Sequence, residues 1–166
     1  MKRTIRINTR LSYPVVQVWR AITDSRMLGK WFMPNDFEAE LDRPFTFRKP
    51  PQKGWDGITY CQVTELDPLH KVAYTYRGSA SGEKTLACAG VQSELADSVA
   101  KGIFTELDTV LKFTLSPEGN GTLLTLEHSG YKGFKLVIVS LVMEMGWKKL
   151  LKKKLPLVLE EIKHNL

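Results

Sequence analysis

The stretch "YPVVQVWRAITDSRMLGKWF", residues 13–32, decides the fold because it predicts two short helices in succession. Ser12 can cap the first helix, and Pro14 suits an early helical position. The apolar residues of this helix recur at the three- and four-residue spacing of one helix face, at Val15, Val18, Trp19 and Ile22. Asp24 predicts the cap of a second, brief helix, which Pro34 ends.

Strand patterns lie on both sides of this helical pair. Upstream, residues 4–11 alternate between apolar and polar side chains, which predicts a half-buried strand. Downstream, short alternating runs are separated by turn-forming residues, as in an antiparallel meander. These runs cover 37–41, 44–47, 58–66, 71–77, 106–115 and 122–128. Strands bracketed by helices at both ends indicate an α+β domain.

The C-terminal part of the sequence predicts a long helix over residues 139–166. Its apolar residues again follow helical spacing, at Met143, Trp147, Leu150, Leu151 and Leu155. Pro156 lacks an amide hydrogen and clashes with the preceding turn, so we expect it to kink or divide the helix. A lysine cluster within this helix contributes strongly to the net charge of +6: Lys148, Lys149, Lys152, Lys153 and Lys154. We interpret this lysine cluster as a solvated helix face, with binding to an anionic partner as the alternative.

A connection of almost 30 residues, 79–105, is much longer than a hairpin loop. Within it, apolar residues are spaced by four, at Val91, Leu95, Val99 and Ile103. This spacing predicts an inserted amphipathic helix at about 88–103.

The composition favours a single domain over residues 1–166. Hydrophobic residues make up 43% and charged residues 25%, an ordinary globular balance. The longest apolar run, residues 136–143, is far shorter than the roughly 20 residues of a membrane span. Cys61 and Cys88 offer neither a disulfide framework nor a metal-ligand spacing. We therefore expect a cytoplasmic protein with reduced thiols, no bound metal and no cofactor.

Three ordered motifs resemble the START-like superfamily, in particular proteins similar to the C-terminal domain of the activator of the ninety-kilodalton heat-shock chaperone ATPase. The stretch 13–32 resembles the opening of this group, with its proline, "VWRAxTD" helix and aromatic pair. Further on, "GTLLTLEHSGY" at 121–131 resembles its "GTxLTLxHSG" strand, and "GWKKLL" at 146–151 its "GWxxxL" helix start. The chain departs from the pattern at 41–47, "LDRPFTF", where the paired glycines that often follow "DxRP" are missing.

The resemblance implies a helix-grip fold, in which a curved antiparallel sheet wraps around a long C-terminal helix and two short helices follow the first strand. It also implies a cavity between the sheet and that helix. Strand alternation and helical spacing predict most of the side chains that line it, and the aromatic pair after the second helix adds two more, with core packing as the alternative for Trp31, Phe32, Tyr74 and Tyr76. The predicted lining is Trp31, Phe32, Tyr60, Tyr74, Tyr76, Leu111, Phe113, Leu126, His128, Met143, Trp147 and Leu151. Such apolar walls with a few polar groups are typical of a small-molecule pocket.

His128 has two interpretations at this point. It continues the inward face of Leu124 and Leu126, so it is a candidate polar group at the rim of the pocket. Alternatively, it hydrogen-bonds a neighbouring strand or a carboxylate and only stabilises the end of the sheet, with Gly130 making the turn.

Several functions remain open from the sequence. The first is binding of a hydrophobic or aromatic molecule, such as a lipid-, flavonoid- or polyketide-like compound. The second, by family analogy, is interaction with a chaperone in the stress response. A cyclase- or isomerase-type enzyme using His128 with Tyr74, Tyr76 or Glu144 is a further alternative, although no nucleophile motif or phosphate loop occurs. The lysine cluster does not interleave with aromatic residues, which argues against a specific nucleic-acid partner. We expect a monomer or a homodimer.

Overall fold

The first strand and the helical pair form where the sequence predicts them, but Ser12 does not cap the first helix, whose cap position is Pro14 and has no side-chain hydrogen bond. In the computed structural model, which describes residues 1–50, 57–78 and 107–165, strand β1 runs over Lys2–Leu11. Helix α1 spans Val15–Thr23 and helix α2 spans Ser25–Trp31. The Asp24 side chain accepts hydrogen bonds from the backbone N–H groups of Arg26 and Met27, so it caps α2 as expected.

The described strands form a six-stranded antiparallel sheet. After α2 come β2 (Pro44–Arg48), β3 (Ile58–Asp67), β4 (Lys71–Arg77), β5 (Asp108–Glu118) and β6 (Gly121–Lys132). Their order across the sheet is β1-β6-β5-β4-β3-β2, so the last strand returns to pair with the first. The predicted inserted helix at 88–103 lies outside the described residues.

The C-terminal helix packs against the sheet in two α-helical parts. Helix α3 spans Phe134–Lys149 and helix α4 spans Leu155–His164, with a π turn over Leu150–Lys154 between them. In this turn the Leu155 N–H bonds to the Leu150 carbonyl oxygen, five residues back. The wider turn comes immediately before Pro156, which cannot donate the ordinary helical bond. The predicted helix-grip architecture is confirmed.

The N-terminal helices are also tied to the C-terminal helix. The Tyr13 hydroxyl donates a hydrogen bond of 2.8 Å to Glu160 Oε2, and Lys30 forms an ion pair with Glu161. Trp19 is half-buried and packs against the core. None of the helices in the described ranges combines the length and the apolar character needed to cross a bilayer.

The strand predicted at 37–41 is wrong. This segment is irregular, and Asn35 holds its start by accepting a hydrogen bond from the Phe37 N–H and donating one to the Met33 carbonyl. Asp42 then adopts a positive φ of 64°, which reverses the chain into β2. The alternation arises because Phe37 packs into the core while Glu38 and Glu40 form ion pairs with Arg43.

The turn predicted at Gly130 is also wrong, because β6 continues through it to Lys132. Ile5 pairs with His128 and Arg3 with Tyr131, so two residues of β6 face the single residue Thr4 on β1. Gly130 sits in this bulge with φ of +104°, and a Cβ there would lie only 2.9 Å from the Asp108 carbonyl oxygen. The bulge shifts the alternation of β6 by one position.

Candidate functional site

The concave face of the sheet carries a continuous group of aromatic rings that meets α3. We call this group the aromatic cluster: Trp31, Phe32, Phe37, Phe45, Phe47, Tyr74, Tyr76, Phe113, His128, Tyr131 and Trp147. Adjacent rings in it lie with centroids between 4.7 and 6.4 Å apart. Trp147 of α3 contacts Phe32 at 4.8 Å and Phe113 at 6.4 Å, so the rings bridge the space between helix and sheet.

Nearly all of the predicted lining residues are buried in this region. Tyr60 is the exception, and its prediction as a lining residue is wrong because the residue is 48% exposed. On β3 it pairs with Thr46, whereas Cys61 and Thr59 pair with the inward-facing Phe45 and Phe47. Directly opposed residues share a face of the sheet, so the Tyr60 side chain lies on the outer face. The alternation of side chains along β3 defines two faces but does not show which of them points inward.

His128 lies at the end of the aromatic cluster and is completely buried. The Trp147 indole N–H donates to His128 Nδ1 over 3.1 Å. On the other side of the ring, His128 Nε2 lies 2.8 Å from Thr109 Oγ1. The Thr109 hydroxyl donates its own hydrogen to the Tyr76 carbonyl oxygen, also over 2.8 Å.

These bonds assign the tautomer of His128. Nδ1 must be unprotonated because it accepts from Trp147, so the ring hydrogen lies on Nε2. Thr109 has used its only hydrogen and therefore accepts from Nε2–H. A second proton on Nδ1 would be directed at the Trp147 N–H. The geometry therefore holds the imidazole neutral.

Burial acts in the same direction on the protonation of His128. Removal of the ring from water disfavours the charged form and lowers the pKa of His128 to about 3. The ring thus has neither a vacant lone pair for a general base nor a stable charged form for a general acid near neutral pH. The sheet-stabilising interpretation of His128 is the one that its hydrogen bonds support.

Tyr131 and Thr109 belong to this site although the sequence analysis did not identify them. The bulge at Gly130 turns Tyr131 inward, where its hydroxyl lies 3.0 Å from both His128 Nδ1 and Met143 Sδ. Burial raises the pKa of Tyr131 well above its usual value, an effect that the nearby Arg3 opposes. A glycine inside a strand pattern was the available signal, because such glycines often mark a bulge.

Tyr74 places a buried hydroxyl group in the site. Its ring is completely buried and contacts Phe37, Phe45, Phe47 and Phe113. The hydroxyl has no hydrogen-bond partner within the described part of the chain. Burial raises the pKa of Tyr74 well above its ordinary value, and Cys61 adds to the effect. A buried hydroxyl without a partner costs about 1–3 kcal/mol, so it requires an explanation.

Glu144, the acid considered for catalysis, is paired with basic residues. Its hydrogen-bonded ion pairs with Lys148 and Arg3 lower the pKa of its carboxyl group. Arg3 also donates to the Ser140 hydroxyl over 2.9 Å. Since the hydrogen-bonding capacity of His128 is also used, the described residues do not pair His128 with Glu144 as an acid–base couple.

A protein-family model matches most of the chain. The model of the family described as Activator of Hsp90 ATPase homolog 1-like protein matches residues 12–160. A search of curated protein sequences finds no significant match.

Solved structures with the same fold cover nearly the whole chain. Protein MLL2253 from Mesorhizobium loti is 25% identical with a TM-score of 0.73, over 96% of this chain and 98% of that chain. Protein BH1534 from Bacillus halodurans is also 25% identical, with a TM-score of 0.68 over 96% and 99%. DynU16, a protein in the dynemicin biosynthetic locus, is 18% identical with a TM-score of 0.64 over 95% of this chain and 47% of that chain. At this lower identity the likeness concerns the fold alone.

Proposed function

The chain belongs to the family of Activator of Hsp90 ATPase homolog 1-like proteins, and from the geometry of its concave face we propose that it binds a hydrophobic or aromatic small molecule between the sheet and α3. Lipid-, flavonoid- and polyketide-like compounds are the candidate classes. The lining consists of Trp31, Phe32, Tyr74, Tyr76, Leu111, Phe113, Leu126, His128, Met143, Trp147 and Leu151.

The buried Tyr74 hydroxyl is the observation that carries this proposal. The Tyr74 ring packs among apolar rings, and its buried hydroxyl has no partner within the described residues, at a cost of about 1–3 kcal/mol. A ligand with one carbonyl or hydroxyl oxygen offset from an apolar body would supply the partner. The surrounding rings would then contact the body of the ligand. An apolar lining with few polar groups is typical of small-molecule sites.

The ligand must displace rings to reach Tyr74, and Phe32 is the ring best placed to move. Phe32 follows α2 and is 9% exposed, whereas Tyr74, Tyr76 and Trp147 are 0% exposed. Its ring lies 4.7 Å from Phe47 of the sheet and 4.8 Å from Trp147 of α3. Rotation of Phe32 would remove its own contacts between α3 and the sheet, whereas Phe113 and His128 would still contact Trp147.

Paired tyrosine variants test the proposal. We expect a flavonoid such as quercetin, or a fatty acid such as palmitate, to change the tryptophan fluorescence of the wild-type protein with saturation. Tyr74→Phe should weaken the binding roughly 5- to 10-fold, the value of one buried hydrogen bond. Tyr60→Phe removes the same atom from the outer face of the sheet and should leave the affinity unchanged. Equal effects of both substitutions, or no saturable binding by any compound of these classes, would overturn the proposal.

A chaperone partner is the second candidate, and the family description is the observation that favours it. The discriminating measurement is the ATPase rate of the ninety-kilodalton heat-shock chaperone with and without this protein. A change in that rate would support this candidate, and an unchanged rate at saturating protein would remove it. The cytoplasmic location predicted from the cysteine content stays a prediction.

A further inference from the structure

The outward face of α3 carries exposed apolar side chains where a surface helix normally carries polar ones. Phe134 is 68% exposed, Leu141 is 51% exposed and Met145 is 65% exposed. With the half-buried Ile138, they follow the three- and four-residue spacing of one helix face. The opposite face of α3 already packs into the core, as its buried residues show. We call the set Phe134, Ile138, Leu141 and Met145 the apolar stripe.

Basic residues stand at both ends of the apolar stripe. At its start, Lys132, Lys135 and the Lys2 that pairs with Lys132 across the sheet are exposed. At its end, Lys148 and Lys149 of the lysine cluster follow Met145 by three and four residues, and Lys152, Lys153 and Lys154 are exposed in the π turn beyond them. No carboxylate of the described residues forms an ion pair with four of these cluster members: Lys149, Lys152, Lys153 and Lys154.

We propose that the apolar stripe and its flanking lysines bind the surface of an anionic lipid bilayer, with α3 lying parallel to the membrane plane. Apolar side chains on one helix face insert into the headgroup–acyl boundary, and adjacent lysines bind anionic headgroups. The proposed surface is opposite the buried face of α3. It therefore stands independently of any ligand between the sheet and the helix.

Charge favours a bilayer over a second copy of the chain as the occupant. Two copies packed through α3 would bring lysine-rich ends together in a parallel arrangement. An antiparallel arrangement would place Lys149 and Lys152 of one copy beside Lys132 and Lys135 of the other. Like charges meet in both cases, whereas an anionic surface neutralises both ends at once.

Vesicle flotation tests this proposal directly. The wild-type protein should float with vesicles of phosphatidylcholine and phosphatidylglycerol in equal amounts, and not with phosphatidylcholine alone. Added salt should weaken the binding because it screens the lysines. Lys152→Gln with Lys153→Gln should weaken binding roughly fivefold for each lysine removed. The charge-matched control, Arg26→Gln with Lys163→Gln, should bind like the wild type.

The apolar contribution has its own matched pair. Phe134→Ser and Met145→Ser should each reduce flotation, whereas Val16→Ser, which removes a 62% exposed apolar residue from α1, should not. Circular dichroism of each variant checks that it is folded. The proposal is overturned by equal binding to neutral vesicles or by no binding to anionic ones. It is also overturned if sedimentation shows a dimer that Phe134→Ser dissociates while vesicle binding is absent.

Discussion

Acid should destabilise the protein through His128, well before its carboxylates are protonated. In the unfolded chain the imidazole has an ordinary pKa of 6.5, whereas in the folded protein burial lowers the pKa of His128 to about 3. Between these values the unfolded state binds one proton more than the folded state, so stability rises with pH across this window and falls as the solution is acidified. Above pH 6.5 the imidazole is neutral in both states and contributes no pH dependence.

The expected loss of unfolding free energy depends on how far the pH lies below the pKa of His128 in the unfolded chain. Each pH unit is worth about 1.4 kcal/mol, so acidification from pH 7 to pH 5 should cost about 2 kcal/mol of unfolding free energy. Three carboxyl groups have lowered pKa values in the folded protein: Glu65, Glu144 and Glu160. The stability that they contribute is lost only below their ordinary pKa of 4.5. The chosen pH window therefore isolates histidine.

Urea unfolding followed by tryptophan fluorescence at both pH values measures this loss. His128→Gln can still accept from Trp147 and donate to Thr109, but it cannot be protonated. The variant should lose about 2 kcal/mol less than the wild type between pH 7 and pH 5. His70→Gln, which changes an exposed histidine in the β3–β4 turn, should behave like the wild type. An equal loss for His128→Gln and wild type would refute the buried, neutral imidazole.

Three further predictions concern stability. Tyr74→Phe should raise the unfolding free energy by about 1 kcal/mol in urea unfolding, because it removes a buried hydroxyl that has no partner in the described structure, and a destabilised variant would contradict this. Gly130→Ala should cost about 2–3 kcal/mol of unfolding free energy in thermal unfolding, because Gly130 has a φ of +104° and a Cβ there would lie 2.9 Å from the Asp108 carbonyl oxygen. The control Gly119→Ala, at a φ of +60° with open space around it, should cost only about 1–2 kcal/mol. Equal costs would refute the close approach at Gly130. The double variant Trp147→Phe with Tyr131→Phe should lose about 1 kcal/mol more unfolding free energy than the sum of the two single variants. The reason is that the Trp147 indole or the Tyr131 hydroxyl can still donate to His128 Nδ1 when the other is removed. Strict additivity would contradict this shared role.

The periodic features of the fold were predictable from the sequence. Alternation located β1, β3 and β4, and helical spacing with the Asp24 cap located α1 and α2. These patterns are local consequences of which face of an element is buried. The predicted division of the C-terminal helix near Pro156 is also observed, since the lack of a proline N–H is a local property.

The misassigned residues depended on contacts that are not local. The alternation at 37–41 comes from the burial of Phe37 beside ion pairs of Glu38 and Glu40 with Arg43, without strand pairing. Tyr60 was assigned to the wrong face because only the pairing of β3 with β2 fixes which face is inward. A strand pattern alone leaves that choice open.

The residues that line the site were predicted better than the hydrogen bonds between them. Most of the aromatic lining followed from strand alternation, but Tyr131 entered the site through the Gly130 bulge. Two partners of His128 come from β5 and α3, each 19 residues away in sequence. No spacing rule joins Thr109, His128 and Trp147, so the neutral, fully bonded imidazole became evident only in three dimensions.

The most direct measurement of the proposed function is the location of a bound probe by nuclear Overhauser effects. With quercetin or palmitate at saturation, we expect contacts from probe protons to the Phe113 ring of the sheet and to the Trp147 ring of α3. We also expect a shift of the Trp147 indole N–H resonance, which reports on the bond of this group to His128 Nδ1. A saturably bound probe that contacts neither ring, and leaves the indole resonance unchanged, would contradict binding between the sheet and the helix.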